Sequence, residues 1–249
     1  MLANLFLAAV TVLSGFCIGS VGVGGVILIA ALALLGGTDI HLAAATALFV
    51  FIFTGIVATW LFYRRGSIEW RLAVPVCVGS VVFSYIGAMV NSYIEPRPLA
   101  LIIASIIVFA GLYAMVPSRR THGSYRTGQG ASQQVLLACV GAAAGFGSGL
   151  SGAGGPVFAV PMMMSLGFVP LASIGASQVL QIVVAVAGTA GNLKYGAVDF
   201  ATAAWVAPLC LVGVALGTRA AHAVSVTVLR RTAASLCVLT GLFMFVRSW

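Results

Sequence analysis

From Ile40 to Tyr63 the chain carries no Asp, Glu, Lys or Arg, and a helix over that run is long enough to cross a bilayer. Runs of the same kind, with charge kept toward their ends, cover Trp70–Tyr93, Pro98–Val116, Leu171–Leu193, Phe200–Ala223 and Leu229–Val246. The whole 249-residue sequence is 61% apolar and 6% charged, against about 25% charged in a soluble domain. So few charges cannot cover a water-facing surface, which makes lipid the solvent that fits. All four acids (Asp39, Glu69, Glu95, Asp199) lie at the ends of apolar runs, as expected where a charge at the bilayer centre costs about 2.5–3.5 kcal/mol.

The formal charge of +8 is spread over short loops rather than gathered on one face. It therefore reads as a topology signal, not a nucleic-acid footprint. Cys17, Cys77, Cys139, Cys210 and Cys237 sit in or beside apolar runs without a C-x-x-C pair, so neither a disulfide frame nor a zinc site is expected. No His/Glu/Asp cluster has metal spacing, no hydrolase, zincin or P-loop pattern occurs, and no cofactor is implied. No Lys or Arg precedes the first apolar run and no clear cleavage site follows it, which reads as a retained segment.

The sequence repeats itself at one fixed offset. Gly15-Phe16 recurs as Gly145-Phe146, and Gly19, Gly22, Gly24 and Gly25 recur as Gly149, Gly152, Gly154 and Gly155, each 130 residues on. The same offset pairs Thr59 with Thr189, Gly66 with Gly196, Glu69 with Asp199 and Gly87 with Gly217. A duplication explains a constant offset sustained over a half. The expected organisation is a first transmembrane repeat at 1–116, a polar cytoplasmic linker at 117–134 that includes His122, and a second repeat at 135–249.

Each half opens unusually. Leu2 to Gly36 would make about 50 Å of helix, too long for one span, and its glycine cluster at 19–25 splits it into two short pieces. Ala131 to Leu166 is split likewise, with Pro156 placed for a first helical turn. One broken helix per opening gives parallel halves, whereas a hairpin gives inverted halves. Loop charges favour inversion. Arg64, Arg65 and Arg71 follow the first long span, but only Lys194 stands at the equivalent place; the next loop reverses the bias, with Arg97 alone against Arg219, Arg230 and Arg231. The expected fold is thus an all-α polytopic membrane protein of two homologous repeats in inverted topology, each opening with a glycine-broken helical hairpin. Both termini then lie outside the cytoplasm.

Glycine breaks at matching places in two repeats point to a transport site. Gly22, Gly24 and Gly25, and Gly152, Gly154 and Gly155, precede short helices whose first N–H groups and partial positive charge suit an anion. Ser148 and Ser151 stand beside the second cluster. Gln178 and Gln181 share a helix face, whereas the equivalent Leu48 and Phe51 are apolar; Thr46, Thr54 and Thr59 offer hydroxyls in the first half. Asn192 and Lys194 end the span, where Lys194 either snorkels or lines an exit. Close helix packing through small residues is the competing reading of the glycines.

The duplicated G-F-x-x-G-x-x-G-x-G-G pattern, at Gly15–Gly25 and Gly145–Gly155, resembles the TauE/SafE sulfite exporter family. So do Ala44-Ala45-Thr46-Ala47 and Gly175-Ala176-Ser177-Gln178, and the basic residue with glycine that closes each following span (Arg65-Gly66; Lys194-Tyr195-Gly196). The resemblance spans nearly the whole chain outside the linker. Thr46-Ala47 and Ala176-Ser177 each keep only part of the family's Thr-Ser pair. The resemblance implies a prokaryotic inner-membrane protein moving sulfite, a sulfonate or a related organosulfur anion. The expected function is export of such an anion by a secondary transporter in the lipid bilayer, with no enzyme activity. A channel on the same scaffold, a permease importing an organic anion, and a membrane subunit without transport stay open, as does homo-oligomer formation.

Overall fold

The computed structural model describes residues 2–115 and 130–225, together with residues 228, 231, 235, 238, 239, 242, 245 and 246. Most of the expected linker, with His122, and most of the expected span at Leu229–Val246, with Cys237, lie outside the described residues. The two long segments are built of helices joined by short turns: α1 (Leu2–Val21), α2 (Gly25–Leu34), α3 (Ile40–Arg64), α4 (Trp70–Asn91), α5 (Pro96–Met115), α6 (Ala131–Ser151), α7 (Gly155–Ser165), α8 (Pro170–Tyr195) and α9 (Phe200–Ala223). In lipid the backbone must satisfy its own polar groups, and helices do so within one segment. Five of them (α3, α4, α6, α8 and α9) are long and apolar enough to cross a membrane. Their outward faces stay apolar: Val74, Val78, Val82 and Phe83 of α4 are exposed, as a lipid-facing surface requires.

Helices start at Gly25, Ile40 and Trp70 and again at Gly155, Pro170 and Phe200, so their starts follow the 130-residue offset. The opening stretches are not two short pieces each. Their first helices have 20 and 21 residues, and only the second helices, of 10 and 11 residues, are short. At 1.5 Å per residue the short ones reach about 15 Å, half a bilayer core. The chain reverses between the pieces: Ser14 Oγ donates to Gly24 O at 2.6 Å, bringing the start of α2 back beside the middle of α1. In the second hairpin the Phe158 ring covers Gly147. α6 also takes in the last four residues of the polar stretch, with Ser132 and Gln134 in an exposed first turn.

Contacts between the halves fix the helix directions. α1 and α9 run the same way, with Gly15 against Cys210 and Gly19 against Val214; α4 and α6 do too, with Gly145 against Ser80 and Gly149 against Ser84. Each contact has a counterpart with the partners exchanged, since Cys210 and Val214 stand 130 residues after Ser80 and Ser84. A methyl group on any of these four glycines would press into the facing backbone, so the close approach depends on them. α3 runs with α9, through Thr46–Asp199 and Arg65–Thr218 contacts. α3 and α8 instead cross antiparallel, with Thr54 on Gln181 and Leu48 on Gly188. Two bundles result, each drawn from both halves: α1, α2, α3 and α9 in one, and α4, α6, α7 and α8 in the other. They meet where α3 crosses α8 and where the two hairpin turns touch.

Candidate functional site

Both hairpin turns use glycine where the backbone turns left-handed. Gly22 has φ +80° and Gly152 φ +73°, values that L side chains resist. These residues close the first helices: Gly22 N–H donates to Ile18 O at 3.0 Å, and Gly152 N–H to Ser148 O at 2.7 Å. The two turns then pack on each other. A side-chain carbon built on Gly22 would lie 2.7 Å from Pro156 Cβ, and one on Gly25 would run into the Ala153 carbonyl. The Phe51 ring lies against both Gly25 and Gly154. Every residue from Cys17 to Leu32 and from Ser151 to Val157 is buried.

The N-terminal ends of α2 and α7 therefore face each other inside the protein. At these ends the backbone N–H groups of Gly24, Gly25 and Val26, and of Gly154, Gly155 and Val157, donate to no acceptor among the described residues. Pro156 has no N–H to contribute. Buried backbone donors are rarely left unpaired, and each costs free energy comparable to a lost hydrogen bond. Each helix end also carries about half a positive charge.

Three of the polar side chains expected at the site are in different states. Ser148 is fully buried and its Oγ has no partner. Ser151 is committed: its Oγ donates to Gly147 O at 2.6 Å and accepts from Ala153 N–H at 3.2 Å. Gln178 donates from Nε2 to Ile18 O at 3.2 Å, which leaves its buried Oε1 without a donor. Gln181, a turn further on, donates to Thr54 Oγ1 at 2.9 Å and ties α8 to α3 at the crossing.

The other expected residues lie elsewhere. Thr46 Oγ1 accepts from the Asp199 N–H at the start of α9. Asn192 is near the far end of α8. Lys194 is exposed with Nζ 5.2 Å from the centre of the Tyr195 ring, about 20 Å along the helix from Gln181. Sequence reasoning missed Ser14, which pins the first turn, and Phe51, read only as an apolar counterpart of Gln181. Ser14 aligns with Ala144, so the repeat gave it no signal. It also missed Asn91, whose Nδ2 donates to Leu150 O at 2.5 Å and whose Oδ1 lies 3.0 Å from His41 Nδ1.

A multi-pass helical membrane protein with two short helices starting face to face in its interior belongs with the membrane transporters. Residues 7–244 match the family described as sulfite exporter TauE/SafE, and the chain belongs to that family. It is also 28% identical, over 199 residues covering 79% of this chain and 81% of the relative, to the probable membrane transporter protein YdhB of Bacillus subtilis (strain 168). No solved structure matches the chain.

Proposed function

We propose that this member of a membrane transporter family exports a small oxyanion, sulfite or an organosulfur anion, by alternating access around the paired helix ends. The observation that carries this reading is the set of buried, unpaired N–H groups at the facing starts of α2 and α7. Such ends bind anions without a buried cation, and among the described residues no Lys, Arg or His is buried. The antiparallel crossing of α3 and α8, which are equivalent in the 130-residue repeat, supports an inverted duplication. Inversion puts the Arg64–Arg71 loop, the linker and the end of α9 on the cytoplasmic side and both termini outside. The two cross-packed bundles are then the natural moving bodies. Complete burial of the helix ends supports an occluded carrier state over an open channel. An anion leaving a cell with a negative interior gains about 2.3 kcal/mol per charge per 100 mV, so export needs no buried proton-carrying carboxylate.

The test is sulfite flux in proteoliposomes holding the full chain, driven by an imposed potential. Saturable, voltage-driven flux with accelerated exchange is expected. Unitary currents would favour a channel, and no flux of sulfite or of any sulfonate would overturn the reading.

A further inference from the structure

Two features of this site, its charge and a polar group beside it, point to one kind of anion. We infer that the protein selects an oxyanion of single charge that still carries a hydrogen, such as hydrogensulfite, over the sulfite dianion and over sulfonates. This inference rests on the anion-transport reading and narrows it.

Charge is the first feature. The starts of α2 and α7 together offset about one negative charge, half from each end. Among the described residues no Lys, Arg or His is buried to offset a second. A dianion would leave one charge uncompensated in the membrane interior, where an unpaired charge is strongly disfavoured.

The second feature is Gln178. Its amide orientation is set by its neighbour, since the Ile18 carbonyl can only accept and must face Nε2, at 3.2 Å. Oε1 is thereby left as a buried acceptor with no donor. Ile18 O also accepts from Gly22 N–H at 3.0 Å, so Gln178 sits at the first glycine turn. A bare acceptor there asks the ligand for a hydrogen. Hydrogensulfite supplies one together with acceptor oxygens for the N–H groups. Methanesulfonate has the same charge and no such hydrogen; it leaves Oε1 unpaired and is disfavoured roughly ten- to a hundred-fold. The repeat partner of Gln178 is Leu48, so only one of the two helix ends has this acceptor beside it.

The experiment measures initial rates of sulfite, methanesulfonate and sulfate flux through the full chain in proteoliposomes as pH is varied at constant total anion. The expected wild-type result is a sulfite rate that follows the hydrogensulfite concentration, slower methanesulfonate and still slower sulfate. Gln178→Leu, which copies the first repeat and leaves Ile18 O bonded to Gly22, should abolish the preference for sulfite over methanesulfonate; Gln178→Met should act alike. A wild-type rate that follows the dianion overturns the inference, as does a preference unchanged in both variants. If both variants lose all flux, the wild-type pH dependence decides alone. Absence of flux for all three anions in the wild type sinks the transport reading itself, whereas flux without these preferences sinks only the narrower inference.

Discussion

Ser148 and Ser151 lie one turn apart on α6, and replacing each by alanine should move stability in opposite directions. Ser148 Oγ is buried and unpaired, a state that costs about 1–3 kcal/mol. Ser148→Ala removes that cost and leaves a gap smaller than a methyl group, so the empty protein should melt higher. Ser151→Ala instead strands the buried Ala153 N–H that Ser151 Oγ accepts at 3.2 Å, for a loss of about 1–3 kcal/mol. In a chain of this length each kcal/mol moves the midpoint by about 2–4 °C. The ligand response should separate the two further. A hydroxyl bonded to an anion contributes about 1.5–3 kcal/mol, so Ser148→Ala should weaken sulfite binding roughly 10- to 150-fold. Its sulfite-induced rise in melting temperature should shrink accordingly. The assay is thermal unfolding of the detergent-purified protein across a sulfite titration. A Ser148→Ala protein that melts lower than wild type, or keeps the full sulfite-induced rise, refutes the assignment of that hydroxyl to the anion.

Three further outcomes follow from the packing. Gly19→Ala and Gly149→Ala press a methyl into the backbones of Val214 and Ser84 and should each cost about 1–3 kcal/mol, read as lowered melting temperatures in detergent. In a background free of native cysteines, a short thiol crosslink between Thr54→Cys and Gln181→Cys joins the two bundles and should stop flux. The same link between Phe49→Cys and Phe200→Cys, whose parent rings touch within one bundle at 5.2 Å, should leave it running. Asp199→Ala should cost about 1 kcal/mol as a lost helix cap. Hydrogen bonds from the Thr202 hydroxyl and backbone N–H hold the Asp199 carboxyl below its usual range. Its contribution is therefore complete above that range and fades as pH falls through the lowered value, so acid melting curves of wild type and Asp199→Ala should converge at the lowest pH.

The parts of this structure legible in the sequence are those that lipid and glycine constrain most tightly. An apolar run of membrane length has one way to satisfy its backbone, so Ile40–Tyr63 and Phe200–Ala223 correspond closely to α3 and α9. A glycine cluster inside such a run marks a turn, and Gly22, Gly152 and Gly154 in these clusters have positive φ. The unequal division of each hairpin was not legible, because helix continues through Gly15 and Gly19 and through Gly145 and Gly149. Glycines that break a soluble helix are here the surface on which α9 and α4 pack. Contacts across 100 or more residues were equally hidden. Nothing local to Phe51 says that its ring will touch both turns, and nothing local to Lys194 says that it will face out against Tyr195.

The polar chemistry does not follow the 130-residue offset that the helix starts keep. Where the second half has Ser148, Gln178 and Gln181, the first has Ile18, Leu48 and Phe51. All three polar residues stand on α6 and α8, in one bundle, while the other bundle brings the start of α2, the Ile18 carbonyl and the Phe51 ring. In the proposed function an anion held this way meets polar side chains from one bundle only, and backbone N–H groups from both. Such a division would let the second bundle swing away while the side-chain bonds to the anion persist. In the proposed separation the Gln181–Thr54, Gln178–Ile18 and His41–Asn91 bonds between the bundles would break. The first two join neutral groups, at a net cost of about 0.5–1.5 kcal/mol each.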